Sequence, residues 1–188
     1  MSTFTPLWLL PAITLIVSAE TGQLLAERIF RNHPPHAHLT MGVSILLLFT
    51  GLILAGMIMT IYLSRIIMEG FPELNLIISS FIPLGPCGQG AYCFLLAGEN
   101  FKKMLPNGHG SVLGDELSGR IINVACLFAA MIFWVLGLWW LVMALIAIAD
   151  DILHGRWIPF RLAFWGVVFP NVRSSSTRRL TFLTRSFM

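Results

Sequence analysis

Residues 121–149 read IINVACLFAAMIFWVLGLWWLVMALIAIA, a run without a single charged side chain. A helix needs about 20 mostly apolar residues to cross a bilayer, and this run is longer than that. It does not alternate apolar with polar residues, as the strands of a membrane barrel do. The run therefore reads as a membrane-spanning helix, and the same test picks out others on either side. Residues 4–26 are interrupted only by Glu20, while 39–64 and 74–98 carry no charge. Residues 160–170 begin another apolar stretch that is too short to cross. The expected fold class is all-α: a polytopic membrane protein with four full spans and a partial fifth over residues 1–170. Residues 171–188, rich in serine and arginine, are expected to form a disordered basic tail.

Composition agrees. Of 188 residues, 56% are hydrophobic and 11% charged, with a mean hydropathy of +0.80. A soluble domain carries about 25% charged residues to wet its surface. The shortfall excludes a soluble enzyme, a disordered protein and a nucleic-acid binder; the expected surroundings are membrane lipid. The net charge of +3 reflects Arg173, Arg178, Arg179 and Arg185 in the tail, so it implies no nucleic-acid partner. Cys87, Cys93 and Cys126 lie in apolar segments without C-x-x-C spacing and read as buried thiols. The first apolar run lacks a basic leader and a small-x-small cleavage site, so it is not expected to be a signal peptide.

The spans are of two kinds. The second and fourth are plain, and the second carries the small-x3-small pairs Gly51/Ala55 and Gly56/Thr60, which permit close helix approach. The first, third and fifth contain prolines. Pro6 and Pro11 open the first, with Thr14, Ser18 and Gly22 following at helical spacing. The third holds Pro83-Leu84-Gly85-Pro86-Cys87-Gly88-Gln89-Gly90, and the fifth runs from Pro159 to Pro170. Proline removes an amide donor and opens the carbonyl ladder. Inside a membrane such breaks persist only where protein or a water-filled cavity covers them. Broken helices alternating with plain ones suggest a pore or transport path lined by Pro11, Thr14, Ser18, Pro83, Gly85, Pro86, Gly88, Gln89 and Gly90. For the third span the alternative is a kinked packing helix whose glycines only admit a neighbour.

Other candidates read more plainly. Glu20 is expected to be an interfacial carboxylate reaching headgroups or an arginine, with an intramembrane proton carrier as the alternative. His33, His36 and His38 are separated by prolines and joined by no cysteine or carboxylate, so a solvated loop is preferred to a metal site. Asp150, Asp151 and His154 read as the charged end of the fourth span. No cofactor, metal or nucleotide site is expected, nor an enzyme. Arg28, Arg31, Lys102, Lys103 and Arg120 in the first and third loops outnumber Arg65, Arg156 and Arg161 in the others. That count places the first and third loops in the cytosol.

Several motifs carry a resemblance: Trp8-Leu9-Leu10-Pro11, Arg65-Ile66-Ile67-Met68-Glu69-Gly70-Phe71-Pro72, Ser80 through Tyr92, Pro159-Phe160, and Trp165-Gly166-x-x-Phe169-Pro170. With these the chain resembles the tellurite-resistance/dicarboxylate transporter family, which includes the slow anion channels, and most resembles its fungal sulfite efflux branch. The resemblance implies ten helices in five hairpins, odd-numbered helices lining a central anion path, and often a trimer. It implies sulfite export across the plasma membrane, with malate as the alternative anion. The spans here correspond to helices five to eight and the start of nine, with Phe169, before Pro170, where the family has a pore-plugging phenylalanine. The family topology puts the first and third loops outside, against the charge count. The chain thus reads as a fragment of that fold, and a non-transporting fragment that modifies full-length subunits is a further alternative.

Overall fold

A computed structural model describes residues 6–70, 80–105 and 116–153. Among the described residues the structure is helical throughout, without strands. A 3₁₀ turn over Pro6–Leu9 leads into α1 (Leu10–Ile29), followed by α2 (Pro34–Glu69), α3 (Leu84–Met104) and α4 (Glu116–Leu153). At about 1.5 Å per residue, the 36 residues of α2 and 38 of α4 exceed the roughly 30 Å hydrocarbon core. The 20 and 21 residues of α1 and α3 only match it. Among the described residues, two helices, over Pro34–Met68 and Leu117–Asp150, are long and apolar enough to cross a membrane on their own account. α1 carries Glu20, Gln23 and Glu27, and α3 carries Gln89, Glu99 and Asn100, which lower their apolar character.

Proline sets where the helices start. Pro11 lies in the first turn of α1 and Pro34 opens α2, positions where the missing N–H has no intrahelical partner to lose. Pro83 immediately precedes α3 and Pro86 lies in its first turn, where a missing N–H breaks no intrahelical bond. Gly70 ends α2 with φ +81°, a left-handed conformation that glycine adopts without a Cβ penalty, and its N–H bonds the Ile66 carbonyl at 3.0 Å.

The chain packs as two helical hairpins, α1 on α2 and α3 on α4, joined chiefly where α1 meets α3. Their cores are apolar and small-residue rich. Leu9, Ala12, Ala55, Met59, Tyr62, Leu84 and Trp140 form one buried cluster; Ile16, Ala19, Leu48, Ala91 and Phe94 belong to the next. Gly51 faces α1: a Cβ there would lie 2.8 Å from Ile16 Cγ1 and 3.1 Å from the Ala12 carbonyl oxygen. Gly56 has nothing within 4 Å. Of the two small-residue pairs, Gly51/Ala55 makes the α1 contact, while Gly56 and Thr60 are exposed. The apolar surfaces of α2 and α4 are largely open, with Leu46 at 69% and Ile132 at 67% exposure, as suits helices in contact with lipid.

Candidate anion path

Helix α3 enters the interior directly. From Pro83 to Ala91 every residue is buried, and most of them (glycine, proline, cysteine and alanine) are narrow enough to let other helices close in. A Cβ on Gly90 would lie 2.8 Å from Leu52 Cδ2, and one on Gly98 would lie 2.7 Å from Asn123 Oδ1, so both glycines admit neighbouring helices. Gly85 is looser, its nearest neighbour being Ile13 Cδ1 at 3.4 Å. Beside Gly88, a cavity of about 20 Å³ lies between α3 and α4, bounded by Leu84, Phe133, Gly137 and Leu141. That is room for about one water.

Gln89 is fully buried, and neither its side-chain oxygen nor its nitrogen has a hydrogen-bond partner among the described residues. An amide so placed forfeits water without recovering its bonds, at about 1–3 kcal/mol. One face of α1 meets α3 with further polar groups. Glu20 is 2% exposed and Gln23 fully buried. Asn100 donates from Nδ2 to both the Gln23 carbonyl oxygen and Gln23 Oε1, each at 2.9 Å. At the end of this seam Lys103 Nζ contacts Glu27 Oε1 at 2.6 Å and Glu99 Oε2 at 3.7 Å. The hydrogen bond that Lys103 donates to Glu27 raises the Lys103 pKa above the ordinary 10.5, against the opposing effect of burial.

The structure separates the sequence candidates into two groups. Pro83, Gly85, Pro86, Gly88, Gln89 and Gly90 lie together in the buried first turns of α3. Pro11, Thr14 and Ser18 lie on the exposed face of α1, opposite its buried face of Ala12, Ile16 and Ala19. Their hydroxyls bond the preceding turn, Thr14 Oγ1 to the Pro11 carbonyl at 2.7 Å and Ser18 Oγ to the Thr14 carbonyl at 2.9 Å. Phe169, Pro170 and His154 lie outside the described residues. Glu20 differs from the expected interfacial carboxylate: it is 2% exposed, on the packed face of α1 with Ala12, Ile16 and Ala19. Sequence reasoning passed over Gln23 and Asn100, whose shared signal was an amide in an otherwise apolar segment. It also passed over Tyr62, whose hydroxyl lies 3.0 Å from Ser80 Oγ and whose ring stacks on Trp140.

Comparison with known proteins matches residues 1–178 to the family described as SLAC1, voltage-dependent anion channel. The chain belongs to the voltage-dependent anion channel family. This family comprises channels and transporters, so the chain is an integral membrane protein and not an enzyme. Sulfite efflux pumps SSU1 of Arthroderma benhamiae and Trichophyton rubrum are each 29% identical over 170 residues, covering 90% of this chain and 43% of the relative. The sulfite efflux pump SSU1 of Candida albicans is 37% identical over 101 residues, 52% of this chain and 20% of the relative. The chain thus spans less than half the length of these relatives. No solved structure matches it.

Proposed function

We propose that this chain supplies part of the anion path of a sulfite exporter in the plasma membrane. The observation that carries the reading is the buried, proline-flanked start of α3, where an unpartnered Gln89 amide sits behind a helix N-terminus. The first backbone N–H groups of a helix lack intrahelical acceptors, and the helix dipole places partial positive charge there. In a membrane interior these donors favour an oxyanion. Gln89 adds two N–H donors that a sulfite oxygen would accept. The likeness to sulfite efflux pumps supports sulfite over other anions.

On this reading α1 to α4 correspond to helices five to eight of a ten-helix fold, and residues 160–170 begin the ninth. Pro11, Thr14 and Ser18 of α1 and Pro83, Gly85, Pro86, Gly88, Gln89 and Gly90 of α3 line the path, and Phe169 with Pro170 narrows it. Three copies assemble, with the open apolar faces of α2 and α4 turned outward to lipid. A second reading is favoured by the exposed hydroxyl-bearing face of α1, which suits contact with further helices: the chain joins longer subunits and alters their conduction.

Flux from lipid vesicles carrying the purified chain tests these readings. Faster release of sulfite than from protein-free vesicles, and faster than of malate, supports sulfite transport. Faster malate release reassigns the anion to a dicarboxylate. Release of neither above the protein-free rate contradicts transport by this chain alone and leaves the subunit-modifying reading.

A further inference from the structure

Three helix ends converge on His38, in the second turn of α2. Its Nδ1 lies 2.7 Å from the Pro34 carbonyl oxygen, one turn back. Its Nε2 lies 3.4 Å from the Met104 carbonyl oxygen, at the end of α3. The Phe30 ring, just past α1, stands edge-on to the imidazole with centroids 5.9 Å apart. Both ring nitrogens therefore face carbonyl oxygens. A neutral imidazole has one N–H and turns a lone pair toward the other oxygen; the imidazolium donates to both.

We propose that protonation of His38 closes a clasp between the start of α2 and the end of α3, tightening this end of the bundle in mild acid. The inference rests on the geometry of the three helix ends and does not depend on which anion the chain carries. Met104 contributes one of the last carbonyls of α3, which lack intrahelical donors and lie at the negative end of its dipole. Imidazole is the side chain whose charge ordinarily changes between pH 5 and 8. The charged and titratable groups at this end are Glu27, Arg28 and Arg31 on and after α1, His33 and His36 around the start of α2, and Glu99, Lys102 and Lys103 on α3; Arg120 stands near the start of α4. Glu27 and Glu99 are both engaged by Lys103. His33 and His36 are exposed and lie against each other, centroids 5.9 Å apart. The positive end of the α2 dipole opposes the new charge, and the α3 carbonyl favours it.

Amide hydrogen exchange of the full chain in detergent micelles tests the clasp. Corrected for intrinsic pH dependence, exchange at residues 101–105 is expected to slow on the order of threefold between pH 7.5 and 5.5, the scale of one long charge-assisted bond in a partly buried site. His38→Gln abolishes the slowing; His33→Gln and His36→Gln keep it. Equal slowing in His38→Gln, or none in the unaltered chain, overturns the proposal. Should His38→Gln fail to fold, the ¹⁵N shifts of the imidazole in the unaltered chain decide. Both His38 nitrogens must carry protons at pH 5.5 and one at pH 7.5, and a ring that stays neutral throughout overturns the clasp.

Discussion

Gln89 and Asn100 are both buried amides on α3, yet only Asn100 has its partners in place. An amide that bonds a neighbouring helix holds the bundle together, whereas one without partners is a cost unless something else binds it. Gln89→Leu is therefore expected to leave thermal stability unchanged or raised while lowering anion flux; paired melting and flux measurements check it, and unaltered flux removes Gln89 from the path. Asn100→Ala strands the Gln23 side chain and is expected to cost about 1 kcal/mol of stability in detergent denaturation. The residue scale was only partly legible in the sequence. Thr14 and Ser18 share a face because helical spacing dictates it, and their hydroxyls bond the turn before, as such side chains do in apolar surroundings. The depth of Glu20 was hidden, because distance along a chain does not say which face of a helix is covered or how far the helix runs.

At the scale of elements, hydropathy found α2 and α4, whereas the third span was expected from residue 74 with Pro83 inside it and α3 begins at Leu84. What spacing could not tell was which small-residue pair faces a neighbour, since Gly51 and Gly56 sit in equally apolar surroundings and only tertiary packing separates them. Gly51→Ala presses a methyl into Ile16 and the Ala12 carbonyl, and is expected to destabilise the α1–α2 hairpin by about 1–3 kcal/mol. Gly56→Ala meets open space and should instead stabilise α2 by about 0.5–1 kcal/mol through lost backbone freedom in the unfolded chain. Circular dichroism melts of the two variants check both signs. Pro83 directly precedes α3 and Pro86 lies in its first turn, so the prolines of this segment fall at a helix start.

Across the whole molecule, the parallel helices α1 and α3 are joined by the amide pair of Gln23 and Asn100 and by the ion pair of Glu27 with Lys103. Folding raises the Lys103 pKa above 10.5, so the pair contributes fully below that pH and is lost as pH rises through the higher folded value. Melting followed from pH 9 to 11.5 should show a decline that Lys103→Met lacks. The two hairpins and this seam place the start of α3 within the bundle, the segment proposed to form part of a sulfite path. The most direct test replaces the matching region of the Arthroderma benhamiae sulfite efflux pump with residues 1–170 of this chain. Sulfite efflux is then measured in yeast cells lacking their own exporter. Efflux above that of the exporter-deficient cells is expected, reduced when Gln89→Leu is added. Efflux no faster than in those cells, from a chimera that reaches the membrane, would contradict the proposal.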